Sequence, residues 1–126
     1  MEIKGVMFPQ ALSKTVELEG RKFSVYIFEL DNAILSFFFE GEKTKLGTLA
    51  VATPPIPPSA PHSSSLLLGY KNSHLARVLA EYLAAKWGKT ALASVFIPQE
   101  NDPLAGRTLM NLVKSMGNSK TSIHFR

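Results

Sequence analysis

The chain of 126 residues contains no cysteine. This absence excludes disulfides, thiol catalysis and cysteine-ligated zinc, and it is typical of proteins in a reducing compartment. The sequence also lacks a run of about 18 apolar residues, so it predicts no membrane-spanning helix. Its amino terminus has no apolar stretch followed by a small-residue cleavage site, as a signal peptide would. We therefore expect a soluble, cytoplasmic protein with no membrane contact.

Motifs of the common enzyme classes are missing as well. The sequence contains no Gly-x-Ser-x-Gly nucleophile elbow, no phosphate-binding glycine loop and no dinucleotide-binding glycine pattern. His62 precedes three serines, but adjacent residues of an extended chain point apart, which separates nucleophile from base. The histidines His62, His74 and His124 lack the spacing of metal ligands. We expect no enzymatic activity, no catalytic residue, no metal and no cofactor.

The charge of the chain is basic but dispersed. The net charge is +4, from 14 lysines and arginines against 10 acidic residues. A basic balance is compatible with nucleic-acid binding, yet no basic run exceeds two residues and acidic residues lie between the basic ones. The pattern favours solvated charge. A small basic nucleic-acid-binding module remains the alternative function.

What the chain does contain is a series of short apolar runs separated by turn residues. The sequence predicts strands at residues 15–19, 21–29, 34–39, 46–53, 63–69 and 90–97. Glu19-Gly20 predicts a tight hairpin, because glycine supplies the positive φ that such a turn needs. Apolar residues at helical spacing predict a helix over 74–87, with Asn72 or Ser73 as its N-cap and Gly88 after its end. A second helix is predicted from Asp102-Pro103 to Gly117.

These elements predict an α+β fold. Short strands with tight links pair antiparallel, so we expect one mostly antiparallel sheet of five or six strands with two helices. Residues 14–118 are predicted to form this single domain. Residues 1–13 are predicted to be an N-terminal arm, and residues 119–126 a C-terminal tail or a last short strand.

Several predicted strands are apolar on both faces. In residues 34–39, Ile34 and Phe38 share one face, and Leu35, Phe37 and Phe39 share the other. Two helices cover about one face of such a sheet, and the strands of a sheet whose other face lies in water normally alternate apolar with polar residues. We therefore expect the second face to be used in dimerisation, with Phe37 and Phe39 in the interface. The alternative is that the arm and the proline-rich loop cover this face within one chain.

The proline-rich loop is residues 54–62, between two predicted strands. Five of the eight residues from 54 to 61 are prolines, which excludes a helix or a central strand. We interpret the Pro-x-x-Pro patterns Pro54-x-x-Pro57 and Pro55-x-x-Pro58 as part of a stiff surface loop rather than as a polyproline ligand. A stiff loop loses little entropy on docking. We expect partner contacts at Ile56, Pro57, Pro58 and His62, with Ile56 as the only large apolar anchor.

Short aliphatic motifs in the second half of the chain follow one another at a distinctive spacing. They are Leu49-Ala50-Val51-Ala52, Ser63-x-Ser65 with Leu67-Leu68-Gly69, Leu79-Ala80-x-x-Leu83-Ala84-x-Lys86-x-x-Lys89, and Ser94. In order and spacing these motifs resemble the fourth proteasome-assembly chaperone of eukaryotes. The resemblance covers about two thirds of the domain. The proline cluster and the Phe96-Ile97-Pro98 strand end depart from the family pattern.

The resemblance implies a fold and a function. It implies an antiparallel sheet with flanking helices, and a dimer formed with itself or with a related chaperone. It also implies binding to proteasome α-type subunits, which promotes assembly of the 20S α-ring. Members of this family have no enzymatic activity and bind no cofactor, so the resemblance implies neither for this chain. The location that it implies is cytoplasmic, and also nuclear if the source is eukaryotic.

Overall fold

The computed structural model of the protein describes residues 2–5 and 11–123. Within these residues the elements follow one another as β1 (Leu12–Leu18), β2 (Arg21–Glu29), β3 (Ala33–Glu40), β4 (Thr48–Thr53), β5 (Ser63–Leu68), α1 (Ser73–Trp87), β6 (Thr90–Phe96) and α2 (Pro103–Ile123). All predicted strands are therefore present, with bounds within three residues of those predicted.

The described strands form one six-stranded sheet in the order β1-β2-β3-β6-β4-β5. Four of the five neighbouring pairs are antiparallel, and β3 with β6 is the parallel pair. This parallel pair arises because β6 returns from α1 and enters the sheet between β3 and β4. The predicted α+β fold, with a single mostly antiparallel sheet and two helices, is confirmed.

Local turn chemistry sets the β1–β2 hairpin. Glu19 and Gly20 have φ of 53° and 74°, the pair of left-handed conformations that a two-residue hairpin favours. The turn places Leu18 opposite Arg21 and fixes the register of both strands. The predicted turn at Glu19-Gly20 is thus confirmed.

The core lies between the two helices and one face of the sheet. Helix α1 packs on β4, β6 and β5, and α2 packs on β2 and β1. The fully buried side chains of this core include Phe23, Val25, Ile27, Ile34, Phe38, Leu79, Leu83, Leu109 and Val113. The predicted division of β2 and β3 into two apolar faces is confirmed, because Phe23 and Phe38 belong to this core whereas Tyr26 and Phe37 do not.

The start of α1 differs from the prediction. Neither Asn72 nor Ser73 caps the helix through its side chain. Asn72 is left-handed, with φ 58°, and its amide nitrogen donates to the carbonyl oxygens of Ile97 and Gln99, both at 3.2 Å. Its Oδ1 accepts a hydrogen bond from the backbone of Asn101 at 3.1 Å. The Asn72 side chain therefore holds the segment after β6 against α1, a tertiary role that a local capping rule does not anticipate.

Helix α2 begins as predicted and ends later. The Asp102 Oδ1 accepts hydrogen bonds from the backbone N–H groups of Leu104 and Ala105, at 3.1 and 3.2 Å, so Asp102 is the N-cap. The predicted end at Gly117 is wrong, because the helix continues to Ile123. A glycine lowers helix propensity by only about 1 kcal/mol, which does not by itself end a helix.

The predicted tail or strand at residues 119–126 is accordingly helical as far as residue 123, and residues 124–126 lie outside the described residues. At the other end of the chain, residues 12 and 13 of the predicted arm belong to β1. Of the rest of that arm, residues 1 and 6–10 lie outside the described residues.

Candidate partner-binding face

The face of the sheet that points away from the helices is apolar, and we call it the open face. Register pairs Tyr26 with Phe37 and Phe28 with Leu35 across β2 and β3, and it places Leu35 beside Leu92 in β6. The apolar side chains of the open face are Tyr26, Phe28, Leu35, Phe37, Phe39, Leu49, Val51, Leu92 and Phe96. Most of them are half-buried by their neighbours rather than covered.

Aromatic side chains on the open face pack against one another in defined geometry. The rings of Tyr26 and Phe39 are stacked, with centroids 5.7 Å apart and an interplanar angle of 14°. The rings of Phe28 and Phe37 meet edge to face at 6.2 Å and 87°. Both arrangements are the ones that aromatic pairs prefer. These aromatic side chains are therefore held in place within one chain before any partner binds.

A cavity of about 330 Å³ lies at the end of the open face where β3 and β6 finish. We call it the aromatic pocket, and its lining is Tyr26, Phe28, Phe37, Phe39, Thr44, Lys45 and Leu46. The Lys45 ammonium lies 4.9 Å from the centre of the Phe96 ring, a cation–π contact. The volume is at the lower end of the range for ligand pockets, about 300–1,000 Å³, and suits one or two side chains of a partner.

The loop of residues 41–47 forms one wall of this pocket, and Gly47 holds that loop in place. The Gly47 backbone N–H donates to the Ser94 Oγ at 2.8 Å, and Ser94 is fully buried. A Cβ on residue 47 would lie 2.0 Å from the carbonyl oxygen of Val95, so only glycine fits this approach.

Sequence reasoning included residue 47 in a strand and missed this contact. A glycine inside an apparent strand marks a close approach of backbones, which is the signal that could have identified it. Ser94 is among the residues that carry the family resemblance, and the structure gives it a definite role.

The predicted interface residues do not share one surface. Phe37 and Phe39 lie on the open face, but Phe39 is only 4% exposed in the single chain whereas Phe37 is half-buried. Residues 54–62 leave the end of β4, which lies beside the start of β6, so the loop and the aromatic pocket are at opposite ends of the sheet.

Within the loop, Ile56 is 84% exposed and is followed by Pro57 and Pro58. His62 instead lines a groove on the helical side, together with Tyr82 of α1 and Met110 of α2. The predicted interface residues therefore lie in three places. Phe37 and Phe39 are on the open face, residues 56–58 are in the exposed loop, and His62 is near the helices.

A network of three charged side chains joins helix α2 to the sheet. The Arg21 guanidinium bonds Glu40 through Nε and a terminal nitrogen, at 2.8 and 2.9 Å, and reaches Asp102 at 2.5 Å. The hydrogen bond from Arg21 holds the pKa of the Asp102 carboxyl below its usual range. Hydrogen bonds to the two carboxylates, first Glu40 and then Asp102, raise the pKa of Arg21. This network joins the first turn of α2 to the β2–β3 hairpin.

Three further properties of the described residues concern ionisation, metal binding and membrane insertion. Burial raises the pKa of Tyr82 in α1. No group of three or more His, Asp or Glu side chains there is placed to hold a metal ion. Neither described helix combines the length and the apolar character needed to cross a bilayer.

An α+β scaffold with one face under helices and an aromatic open face has the features of a protein-binding module. No family model and no curated protein matches the chain. The fold is similar to a chain in the crystal structure of a novel chaperone complex for yeast 20S proteasome assembly, with a TM-score of 0.63 and 19% identity. The match covers 91% of this chain and 98% of that chain. At this identity it shows a shared fold, and the yeast complex belongs to the class of protein that the sequence resemblance indicated.

Proposed function

We propose that the protein is a non-catalytic assembly chaperone, a distant member of the proteasome-assembly chaperone 4 family. In this proposal it dimerises with itself or with a paralogue and binds proteasome α-type subunits to promote assembly of the 20S α-ring. The observation that carries the proposal is the open face with its aromatic pocket. The fold shared with a yeast assembly-chaperone chain supports it.

The size of the open face suits a dimer interface. Six strands about 4.8 Å apart and about 20 Å long give a flat area of about 600 Å², before side-chain relief is counted. A standard protein interface buries about 800 Å² per partner. The centre of a typical interface is rich in aromatic side chains and poor in charge. The centre of the open face has this character, because it is formed by Tyr26, Phe28 and Phe37. The open face is thus of the same order of size as one side of such an interface, and its centre is apolar.

The proline-rich loop gives the α-subunit contact a separate place in the proposal. Residues 54–62 lie at the opposite end of the sheet from the aromatic pocket, and Ile56 is 84% exposed, so in this proposal a partner centred on the pocket leaves Ile56 accessible. We place Ile56, Pro57 and Pro58 at the rim of the α-subunit contact, and His62 at its margin near the helices. A cytoplasmic location, and a nuclear one in a eukaryote, is part of this proposal.

The test is affinity capture of the tagged chain from its own cells at about 50 and 200 mM salt, with mass spectrometry of the bound proteins. Proteasome α subunits are expected at both salt concentrations, because apolar docking depends little on salt. Binding to the phosphate backbone of a nucleic acid, in contrast, weakens steeply between these two salt concentrations. Recovery of nucleic acid at low salt alone, without α subunits, would overturn the proposal and establish the nucleic-acid-binding alternative.

A further inference from the structure

Strand β5 is an edge strand, and its outer side is unpaired among the described residues. It pairs only with β4, through a register that runs from Thr53 opposite Ser63 to Leu49 opposite Leu68. The backbone N–H and C=O groups on its outer side are therefore available for another strand. Natural proteins normally protect such edges with charged residues, prolines or a covering loop.

The edge of β5 lacks the usual protection by charge. From Pro54 to Tyr70 the chain contains no lysine, arginine, aspartate or glutamate. The opposite edge, β1, carries Lys14 and Glu17. Exposed apolar side chains gather around β5: Leu66, Leu67 and Leu68 are 38%, 51% and 52% exposed, Ile56 is 84% exposed and Tyr70 is 79% exposed.

Both ends of β5 are fixed by specific contacts. Near its start, the Ser64 Oγ accepts a hydrogen bond from the Arg77 Nε at 2.9 Å and donates to the Glu81 carboxylate, so β5 is tied to α1. After its end, Gly69 has φ 75° and packs so closely on Thr48 that a Cβ would lie 2.9 Å from the Thr48 Oγ1. A bulge opposite Leu49 and Ala50 interrupts the β4–β5 ladder at Leu67, so the regular part of the edge is residues 63–66. The edge is therefore held in an extended conformation before anything binds, which lowers the entropy cost of docking.

We propose that β5 binds an extended, uncharged apolar segment of a partner protein as a seventh strand of the sheet. Main-chain hydrogen bonds supply affinity in this mode, and alternate side chains supply specificity. On the open side of the sheet the segment's side chains lie beside Ser65 and Leu68, and on the helical side they lie beside Leu66 and Ser64. The proposal goes beyond the chaperone function and does not depend on the identity of the client.

A second copy of the chain fits this edge less well than a peptide segment does. The outer side of a six-residue strand is about 20 Å long and about 10 Å thick, roughly 200 Å². A stable interface needs about 800 Å² per partner, so edge pairing between two rigid copies falls well short. An extended segment can also lay its side chains over the exposed Leu66, Leu67 and Leu68, which adds apolar area to the main-chain pairing that two rigid copies meeting edge to edge do not bury.

The experiment uses 12-residue peptides selected by phage display on the full-length protein, then synthesised with a fluorescein label. We expect the selected peptides to be uncharged and rich in β-branched residues. Leu67→Lys places a charge on the edge and should weaken their binding by about tenfold or more. The matched control is Leu18→Lys at the end of β1, where Leu18 is 40% exposed, and it should bind the peptides as the wild type does. Thermal unfolding checks that both variants fold.

N-methylation of the peptide backbone gives a second readout that a side-chain docking site would not produce. In an added strand, alternate N–H groups of the peptide point toward β5. Methylating one of these nitrogens should abolish binding, whereas methylating a nitrogen between them should have little effect. The proposal would be overturned if the peptides bound the Leu67→Lys variant as tightly as the wild type. It would also be overturned if N-methylation weakened binding without this alternation. A wild-type dimer that Leu67→Lys converts to a monomer would overturn it as well, because the edge would then be occupied by a second copy.

Discussion

Replacing Gly47 by alanine tests whether the close approach of the 41–47 loop to β6 stabilises the fold. A Cβ at residue 47 would lie 2.0 Å from the Val95 carbonyl oxygen, 2.4 Å from its carbon and 2.7 Å from the Phe96 nitrogen. These are backbone atoms of a strand paired on both sides, so they cannot move aside as a flexible side chain would. The loop must lift away from β6 instead.

Two costs of lifting the loop can be estimated from the structure. The Gly47–Ser94 hydrogen bond of 2.8 Å is broken, and the Ser94 hydroxyl, which is fully buried, loses its partner. An unsatisfied buried polar group costs about 1–3 kcal/mol. The aromatic pocket loses the wall that the loop provides, so Phe39, which lines this pocket and is 4% exposed, becomes more exposed; complete exposure of such a side chain costs about 1.5–3 kcal/mol. We expect Gly47→Ala to lower the free energy of unfolding by about 2–5 kcal/mol.

The assay is urea unfolding followed by circular dichroism, with thermal unfolding as a second measure. For a chain of this size, 1 kcal/mol corresponds to about 4 °C in Tm, so a fall of about 8–20 °C is expected. Gly5→Ala is the matched control, because nothing lies within 4 Å of a Cβ there. Ser94→Ala removes the acceptor without pushing the loop and should cost about 1 kcal/mol. A Gly47→Ala protein within about 0.5 kcal/mol of the Gly5→Ala control would refute the reasoning.

Three further predictions concern the proposed interfaces and the charge network. Phe37→Asp should split the dimer in light scattering and leave the circular dichroism unchanged, whereas Phe39→Asp should unfold the monomer because Phe39 is buried within one chain; an unfolded Phe37→Asp protein would contradict this. A Gly/Ser linker of equal length in place of residues 54–62 should leave the fold nearly intact and weaken α-subunit binding; unchanged binding with a large fall in Tm would show that the loop covers the sheet. Arg21 lowers the pKa of Asp102, so the charged carboxylate stabilises the fold above its unfolded pKa of about 3.9, and this contribution is lost as the pH falls through the folded pKa. Asp102→Asn keeps a capping side chain but should remove this acid-side loss of stability in urea unfolding; an unchanged pH profile would show that the pair contributes nothing.

Local pattern was enough to predict the elements and the two faces of the sheet. Alternation with a period of two separated Phe23 from Tyr26 and Phe38 from Phe37, and the structure places each pair on opposite faces. Turn chemistry predicted the Glu19-Gly20 hairpin, and Asp102-Pro103 predicted the start of α2. These features depend on residues close together in the chain, so a single sequence determines them.

The arrangement of the candidate site was decided only by the tertiary structure. The sequence could not show that β6 enters between β3 and β4, because pairing of Ser36 with Ala93 joins residues far apart in the chain. The same long-range pairing brings Gly47 against Val95 and Ser94, so that the 41–47 loop forms a wall of the aromatic pocket. It also puts the proline-rich loop at the other end of the sheet. Strand periodicity determines which side chains share a face, but strand order determines which of them meet, and strand order follows from how the whole core packs.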